Sequence, residues 1–289
     1  MAAHDRITSL HNPTIKAVRA LRDGRKRVKS GRMIVHGLRE ISRAAASGVA
    51  FDQVFFCPAL MNDTARRLLR ELEASGAPLV EVTQPIIEGL AFGDRTEAVV
   101  AVAASPRRDL KDFKITRPGE PPLIAVVEGV EKPGNLGAVI RSADGAGAGG
   151  VIAADLRTDL FNPNVIRASL GTVFALPIAV ASGAETLDWL RSRGIAAYAA
   201  RVDAAKEYWQ VDFTAPCAVV LGNEATGLSG CWSGPGVESV RLPMLGLADS
   251  LNVSVTAAVL LYEARRQRSR AEMHPPSRPD GRQRSADES

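Results

Sequence analysis

The polar side chains best placed for chemistry stand where apolar runs end. Val126-Val127-Glu128 leads through Gly129-Val130-Glu131-Lys132-Pro133-Gly134 to Asn135-Leu136-Gly137-Ala138-Val139-Ile140-Arg141. A buried strand passing through a Gly-containing loop into a helix is the junction where α/β proteins bind ligands. Asn135 offers an amide there, and Arg141, about two turns along the helix, offers a planar cation suited to phosphate. A second run, Val219-Val220-Leu221, ends in Gly222-Asn223-Glu224-Ala225-Thr226-Gly227. Gly222 and Gly227 permit close backbone approach or positive φ, and Glu224 delivers a carboxylate to the sheet edge. The third run is Leu242-Pro243-Met244 through Ser250-Leu251-Asn252-Val253-Ser254. It crowds Ser250, Asn252 and Ser254 into the opening turn of a helix, where backbone N–H groups are unpaired and the dipole is positive. A structural helix start needs one cap, at Asp249 or Ser250. Three polar groups point to a site.

The elements that must position these groups alternate in type. Asn12-Pro13 opens a helix whose apolar side is Ile15, Val18, Leu21 and Val28, with Gly31 as its stop. Strands at 33–35, 54–56, 79–82 and 98–102 then alternate with helices at 38–46 and 64–74. Pro106, Pro118, Gly119, Pro121 and Pro122 mark a linker. Beyond it, strands at 123–127, 150–154, 178–180, 195–199, 217–221 and 237–242 alternate with helices at 134–148, 162–170 and 185–193. In the last helix Leu251, Val255, Val259 and Tyr262 recur with the period of one buried face. This is an α/β pattern with a parallel sheet. There is no internal repeat. The tail from about Arg268 has almost no apolar residues and is expected to be disordered.

Composition narrows the function. With 46% hydrophobic and 24% charged residues in 289, the chain reads as a soluble globular protein. No apolar run approaches the roughly 20 residues that span a bilayer, so no membrane partner is expected. The start, Met1-Ala2-Ala3-His4-Asp5-Arg6, lacks the apolar core of a secretory signal, and Cys57, Cys217 and Cys231 form no CxxC pair. A cytoplasmic location with reduced thiols is the expectation. His4, His11, His36 and His274 have no metal-ligand spacing, so no metal is expected. The net charge is +4, and Lys16, Arg19, Arg22, Arg25, Lys26, Arg27, Lys29 and Arg32 concentrate positive charge near the N-terminus. Such a cluster suits a polyanion such as RNA or forms a plain solvated helix face. The first junction, with Asp155 ending the next strand, also invites a dinucleotide-dependent oxidoreductase, but its glycines are spaced G-x-x-G rather than G-x-G-x-x-G. A non-catalytic RNA-binding protein is the other rival.

Taken together and in order, the three motifs resemble those of the SpoU-type (TrmH-like) branch of the SPOUT superfamily, RNA ribose 2′-O-methyltransferases. Val165-Ile166-Arg167-Ala168-Ser169-Leu170-Gly171-Thr172-Val173-Phe174 resembles a further family stretch. The similarity covers roughly residues 122–266, and residues 8–104 more loosely resemble the family's ribosomal-protein-like RNA-binding domain. Ala225 departs from the glycine, and His36 from the acidic residue, that many relatives carry at these positions.

The resemblance implies an α/β chain in which a small RNA-binding domain (1–105) and a linker (106–121) precede a trefoil-knotted SPOUT domain with a parallel sheet (122–268) and a disordered tail (269–289). It implies S-adenosyl-L-methionine as cofactor, structured RNA as substrate, with ribosomal RNA favoured over transfer RNA, and a homodimer with the closing helix at its interface. Arg141, Asn135, Glu224, Ser250 and Asn252 are the implied catalytic set. Arg141 acts on the ribose hydroxyl as a base or as a clamp on the adjacent phosphate. Leu221, Gly222, Leu242, Met244 and Leu251 are implied for the cofactor, and Arg167, Arg25, Lys26 and Arg27 for RNA.

Overall fold

The computed structural model describes residues 5–91 and 97–273. Its first half runs β1 (Asp5–Ile7), α1 (Pro13–Ala20), α2 (Gly24–Ser30), β2 (Arg32–His36), α3 (Leu38–Ala46), β3 (Phe51–Phe56), α4 (Asp63–Ala74), β4 (Leu79–Val82), α5 (Gln84–Leu90) and β5 (Val99–Ala104). The strands form one sheet in the order β1-β4-β3-β5-β2. In it β5 is antiparallel to both β2 and β3. The basic segment that read as one helix is two. Asp23 accepts from the Arg25 amide at 2.7 Å and caps a new start, so α2 turns away from α1. That rotation puts Val28 in solvent and brings Arg27 inside. Gly31 ends α2 in the left-handed conformation, as its residue type allows.

The second half runs β6 (Leu123–Glu128), α6 (Pro133–Gly145), β7 (Gly150–Ala154), α7 (Pro163–Ala168), α8 (Thr172–Ala175), β8 (Ile178–Ala181), α9 (Gly183–Ser192), β9 (Ala196–Ala200), β10 (Lys206–Glu207), β11 (Cys217–Leu221), β12 (Val237–Arg241) and α10 (Val253–Met273). All seven strands are parallel, in the order β10-β12-β9-β11-β6-β7-β8. Central strands such as Leu123–Glu128 and Cys217–Leu221 are buried throughout. Helices on both faces cover them, which is why they read as continuous apolar runs. From β6 the chain winds outward through β7 and β8, then crosses to β9, and β11 fills the gap beside β6. The strand order therefore reverses between β6 and β11, the kind of crevice where α/β sheets hold ligands.

Helix α10 packs on α6, β11 and β6. Its buried residues are Val253, Ala257, Leu260, Leu261 and Ala264, while Leu251, Val255 and Tyr262 are exposed. The sequence pattern placed the buried face on that second set. The helix begins only after Asn252, whose side chain accepts from the Ser254 amide at 2.9 Å, not at Asp249 or Ser250. At the end of α6, Gly145 leaves room for the Tyr262 hydroxyl, 2.9 Å from where a Cβ would stand. The helix also continues to Met273, past the expected start of the tail. Arg268, read as the tail's first residue, is 6% exposed. It donates to the carbonyls of Phe213, Pro122 and Ala215 at 2.9 to 3.0 Å, tying α10 to the starts of β6 and β11. The remainder of that tail lies outside the described residues.

The two sheets are joined by packing of β2 and α3 against α7 and α8. Arg27 Nε donates to Asp159 Oδ2 at 2.6 Å, and Arg43 Nη1 to the Leu170 carbonyl at 2.7 Å. The segment between the sheets is docked: Phe113 is buried edge-on to Trp189, and Asp109 bridges to Val180 beside β8. No helix is long and apolar enough to cross a membrane among the described residues.

Candidate active site

Three loops meet at the carboxyl edge of the second sheet. Pro133 opens α6, and Gly137 lets it press onto α7, since a Cβ there would lie 2.6 Å from the Val165 carbonyl oxygen. This seats Asn135 in the first turn, where its amide donates to the Glu224 carboxylate. Asn252, at the threshold of α10, donates from Nδ2 to Asn135 Oδ1 at 3.3 Å. Glu224, Asn135 and Asn252, far apart in the chain, thus form one hydrogen-bonded line across the crevice.

The loop after β11 is tightly built. Asn223 is buried; it donates to the Gly129 carbonyl at 2.8 Å and accepts from the Ala225 amide at 2.8 Å. Its backbone exchanges both hydrogen bonds with Gly227, at 2.9 and 3.1 Å. Gly222 lies against the Gly227–Leu228 backbone so closely that a Cβ would stand 2.4 to 2.6 Å from it. Leu221 is buried beneath.

The loop from 242 to 251 has the opposite character. Among the described residues its main-chain groups enter no hydrogen bond outside the regular elements, and Leu245 and Leu247 are fully exposed. Leu242 and Met244 are half-buried, while Ser250 and Leu251 face solvent. Unpaired backbone donors and acceptors beside aliphatic side chains suit a molecule with both a heterocyclic ring and an apolar stem.

Arg141 lies further along α6, exposed, with no hydrogen-bond or ion-pair partner among the described residues. Arg167 is exposed on α7, enters none of these hydrogen bonds among the described residues, and lies near enough to His36 to act on its charge. Burial, then Arg167 and Arg22, pushes His36 down to about 4, so it is neutral at ordinary pH. Arg25 and Lys26 are exposed on α2. Arg27 is not available to RNA: it is 4% exposed, committed to Asp159 and to the Leu21 carbonyl at 2.7 Å. In a short helix only some of a basic run can face outward.

Glu128 was not among the expected site residues. It is buried at the end of β6 and accepts from the Ser229 amide and hydroxyl, both at 2.7 Å, and from Trp232 Nε1 at 2.8 Å. This anchors the chain just after the β11 loop. Burial, helped by the charge of Glu128, raises the pKa of the Cys231 thiol, which donates to the same carboxylate at 3.7 Å. A lone carboxylate closing an otherwise apolar strand is the signal that marks it. Asp155, the acidic residue of the oxidoreductase alternative, is engaged instead by the Gly183 amide at 2.8 Å at the start of α9. No group of metal-binding side chains occurs among the described residues.

With this geometry established, comparison with known proteins is specific. Residues 122–262 match the SpoU rRNA Methylase family, and residues 12–101 match the MRM3-like substrate binding domain. The 23S rRNA (uridine(2479)-2′-O)-methyltransferase of Streptomyces viridochromogenes is 34% identical, over 91% of this chain and 92% of that protein. The chain belongs to the SpoU rRNA methylase family. A crystal structure of an RNA 2′-O ribose methyltransferase aligns with a TM-score of 0.79 at 40% identity, covering 91% of this chain and 99% of that one. An AdoMet-bound rRNA methyltransferase from Sinorhizobium meliloti aligns at 0.81 and 30%, covering 91% and 97%. Within this SpoU methylase the motif loops are the ones that the hydrogen bonds bring together.

Proposed function

We propose that the protein transfers a methyl group from S-adenosyl-L-methionine to a ribose 2′-hydroxyl of ribosomal RNA. The observation that carries this reading is the line Glu224–Asn135–Asn252, which joins the three family motifs at one crevice. Residues 122–268 act as the methyltransferase domain and 1–105 as the RNA-binding domain, joined by 106–121. The knotted threading of the 242–252 segment is part of the same family reading.

The residues fit the cofactor. The Leu221–Gly222 edge and the open backbone of the 242–251 loop, with Leu242, Met244 and Leu251, would hold its adenosyl and methionyl parts. When bound, it supplies an electrophilic methyl group. The chain's own task is to aim a weak nucleophile. Glu224 holds the Asn135 amide, and Asn135 in turn receives Asn252, so this polar wall is fixed before substrate arrives. Ser250 and Asn252 complete the wall around the acceptor ribose. Arg141 grips the phosphate next to that ribose in a bidentate pair, setting the 2′-oxygen in line and leaving the phosphate to receive the proton.

The protein works as a homodimer in the cytoplasm. Leu245, Leu247, Leu251, Val255 and Tyr262 are exposed apolar side chains on the last loop and on α10, which a second subunit would cover. Arg141 has no hydrogen-bond or ion-pair partner among the described residues, and a second subunit would complete its surroundings.

Incubation with methyl-labelled S-adenosylmethionine and ribosomal RNA transcripts tests the activity. Label should enter ribose, read as a primer-extension stop at low nucleotide triphosphate. Label in a base, or in no ribosomal transcript, refutes the assignment. The RNA surface has its own test. Reversing charge at Arg25 and Lys26 should weaken RNA binding and flatten its dependence on salt, because each lost phosphate contact releases fewer counterions. An unchanged slope makes the exposed side of α2 a plain surface. Reversal at Arg27 should instead loosen the joint between the sheets, through loss of its ion pair with Asp159.

A further inference from the structure

The first sheet carries a second candidate site. An open cleft of about 400 Å³ lies between α1 and the sheet, floored by Val18, Leu21 and Val102 and edged by Arg32, Asp52 and Gln53. This volume falls within the roughly 300–1,000 Å³ typical of small-ligand clefts. The strand geometry that makes it is irregular. In β3 the pairing with β5 shifts between Phe51 and Gln53, so Asp52 is the extra residue of a bulge. In a regular strand, Asp52 and Gln53 would point to opposite faces. Here both edge the same cleft, beside Arg32, whose Nε donates to Asp52 Oδ2 at 2.9 Å. The result is an apolar floor, a guanidinium held by a carboxylate, and a Gln53 amide that makes no hydrogen bond among the described residues.

The surroundings indicate what enters it. Ser30, the last residue of α2, lines the cleft, and Arg25, Lys26 and Lys29 are exposed on the same helix. The Arg27–Asp159 pair pins α2 to the loop after β7, at the edge of the second sheet that holds Asn135 and Glu224. On that loop Arg157 reaches Glu131, in the loop leading to Asn135, at 3.0 Å. A phosphate backbone following α2 is thereby led toward the motif loops. Single-stranded RNA is read by splaying bases onto planar groups and hydrogen-bonding their edges, and the Arg32 plane with Gln53 and Asp52 supplies both.

We propose that this cleft takes one unstacked nucleobase of the RNA substrate, outside the methylated nucleotide, and helps set the register of the RNA. The inference rests on the RNA-methyltransferase reading.

The test uses the full chain and the ribosomal transcript that it methylates. Ala17→Phe fills the cleft from α1, and Gln53→Ala removes its free amide. Each should raise KM for RNA about tenfold with kcat at saturating RNA, S-adenosylmethionine affinity and melting temperature unchanged. In parallel, a photoreactive benzoylphenylalanine in place of Ser30, exposed at the rim of the cleft, should crosslink to one unpaired nucleotide. An unchanged KM in both variants, or crosslinks spread without preference, would overturn the proposal, and the cleft would then be a packing feature or a pocket for something other than RNA. If the wild type binds and crosslinks RNA but transfers no methyl to it, the failure lies with the functional reading and not with the cleft.

Discussion

Replacing Arg141 by alanine is expected to slow methyl transfer by roughly 10³-fold while leaving S-adenosylmethionine affinity within about twofold. The separation follows from where the side chain stands. The groups assigned to the cofactor belong to the loops after β11 and β12, whereas Arg141 lies along α6, exposed and without a protein partner among the described residues. An exposed guanidinium with no hydrogen bond or ion pair among the described residues can be removed without disturbing those loops. What is lost is a fixed positive fork. Arginine remains charged at any working pH, so its contribution lies in orienting the phosphate and ribose rather than in shuttling its own proton. Lysine at this position should not restore the rate, because a point charge cannot grip two oxygens in one plane. Single-turnover kinetics and calorimetric titration of the cofactor separate the two quantities. A mutant with near-wild-type turnover removes Arg141 from the mechanism, and one that fails to bind the cofactor moves it to the cofactor site.

How legible the molecule was in its sequence differs from element to element for physical reasons. Strands such as Leu123–Glu128 and Cys217–Leu221 announce themselves because a parallel strand buried on both faces has only apolar residues. The convergence of Asn135, Glu224 and Asn252 was legible only through the family motifs, since hydrogen bonds between residues 89 and 117 apart in sequence leave no periodic trace. Periodicity misled in α10. Val253–Ala257–Leu260–Ala264 and Leu251–Val255–Tyr262 are both apolar at helical spacing, and only the partner helix decides between them. Packed on α6, β11 and β6, the helix buries the face with alanines, and the bulkier one stays exposed. Arg27 shows a different limit. Its type predicts a solvated or RNA-facing side chain, but the Asp23 cap turns α2 so that this one arginine meets Asp159. Glu128 could have been read from the sequence as a carboxylate at the end of an apolar strand, but its partners, Ser229 and Trp232, lie beyond the β11 loop and become visible only in three dimensions.

Gly222→Ala should cripple cofactor binding although it adds a single methyl group. The new Cβ would lie 2.4 Å from the Gly227 carbonyl carbon and 2.5 Å from the Leu228 nitrogen, distances no real Cβ sustains. The obstacle is backbone, so no rotamer change relieves it. Nor can the opposing strand of the loop yield cheaply. Gly227 is tied to Asn223 by two backbone hydrogen bonds, Asn223 is tied to Gly129, and Leu228 is buried. Overpacking of this kind costs about 1–3 kcal/mol. The loop must open, which moves both the Leu221–Gly222 edge proposed for the cofactor and the Glu224 carboxylate that holds Asn135. We expect S-adenosylmethionine affinity to fall at least about tenfold, the equivalent of 1.4 kcal/mol, and methyl transfer to fall further, because the polar wall loses its register as well. Gly230→Ala is the matched control. It lies eight residues on in the same connection, nothing stands within 4 Å of its added Cβ, and it should bind cofactor as the wild type does. Thermal unfolding with and without S-adenosylhomocysteine reads both effects together, since a ligand raises the melting temperature only of a protein that binds it. If Gly222→Ala kept the full ligand-induced shift, the β11 loop would not be part of the cofactor site. The adenosyl group would then have to be held by the 242–251 backbone alone, whose main-chain groups have no hydrogen-bond partners among the described residues to give up.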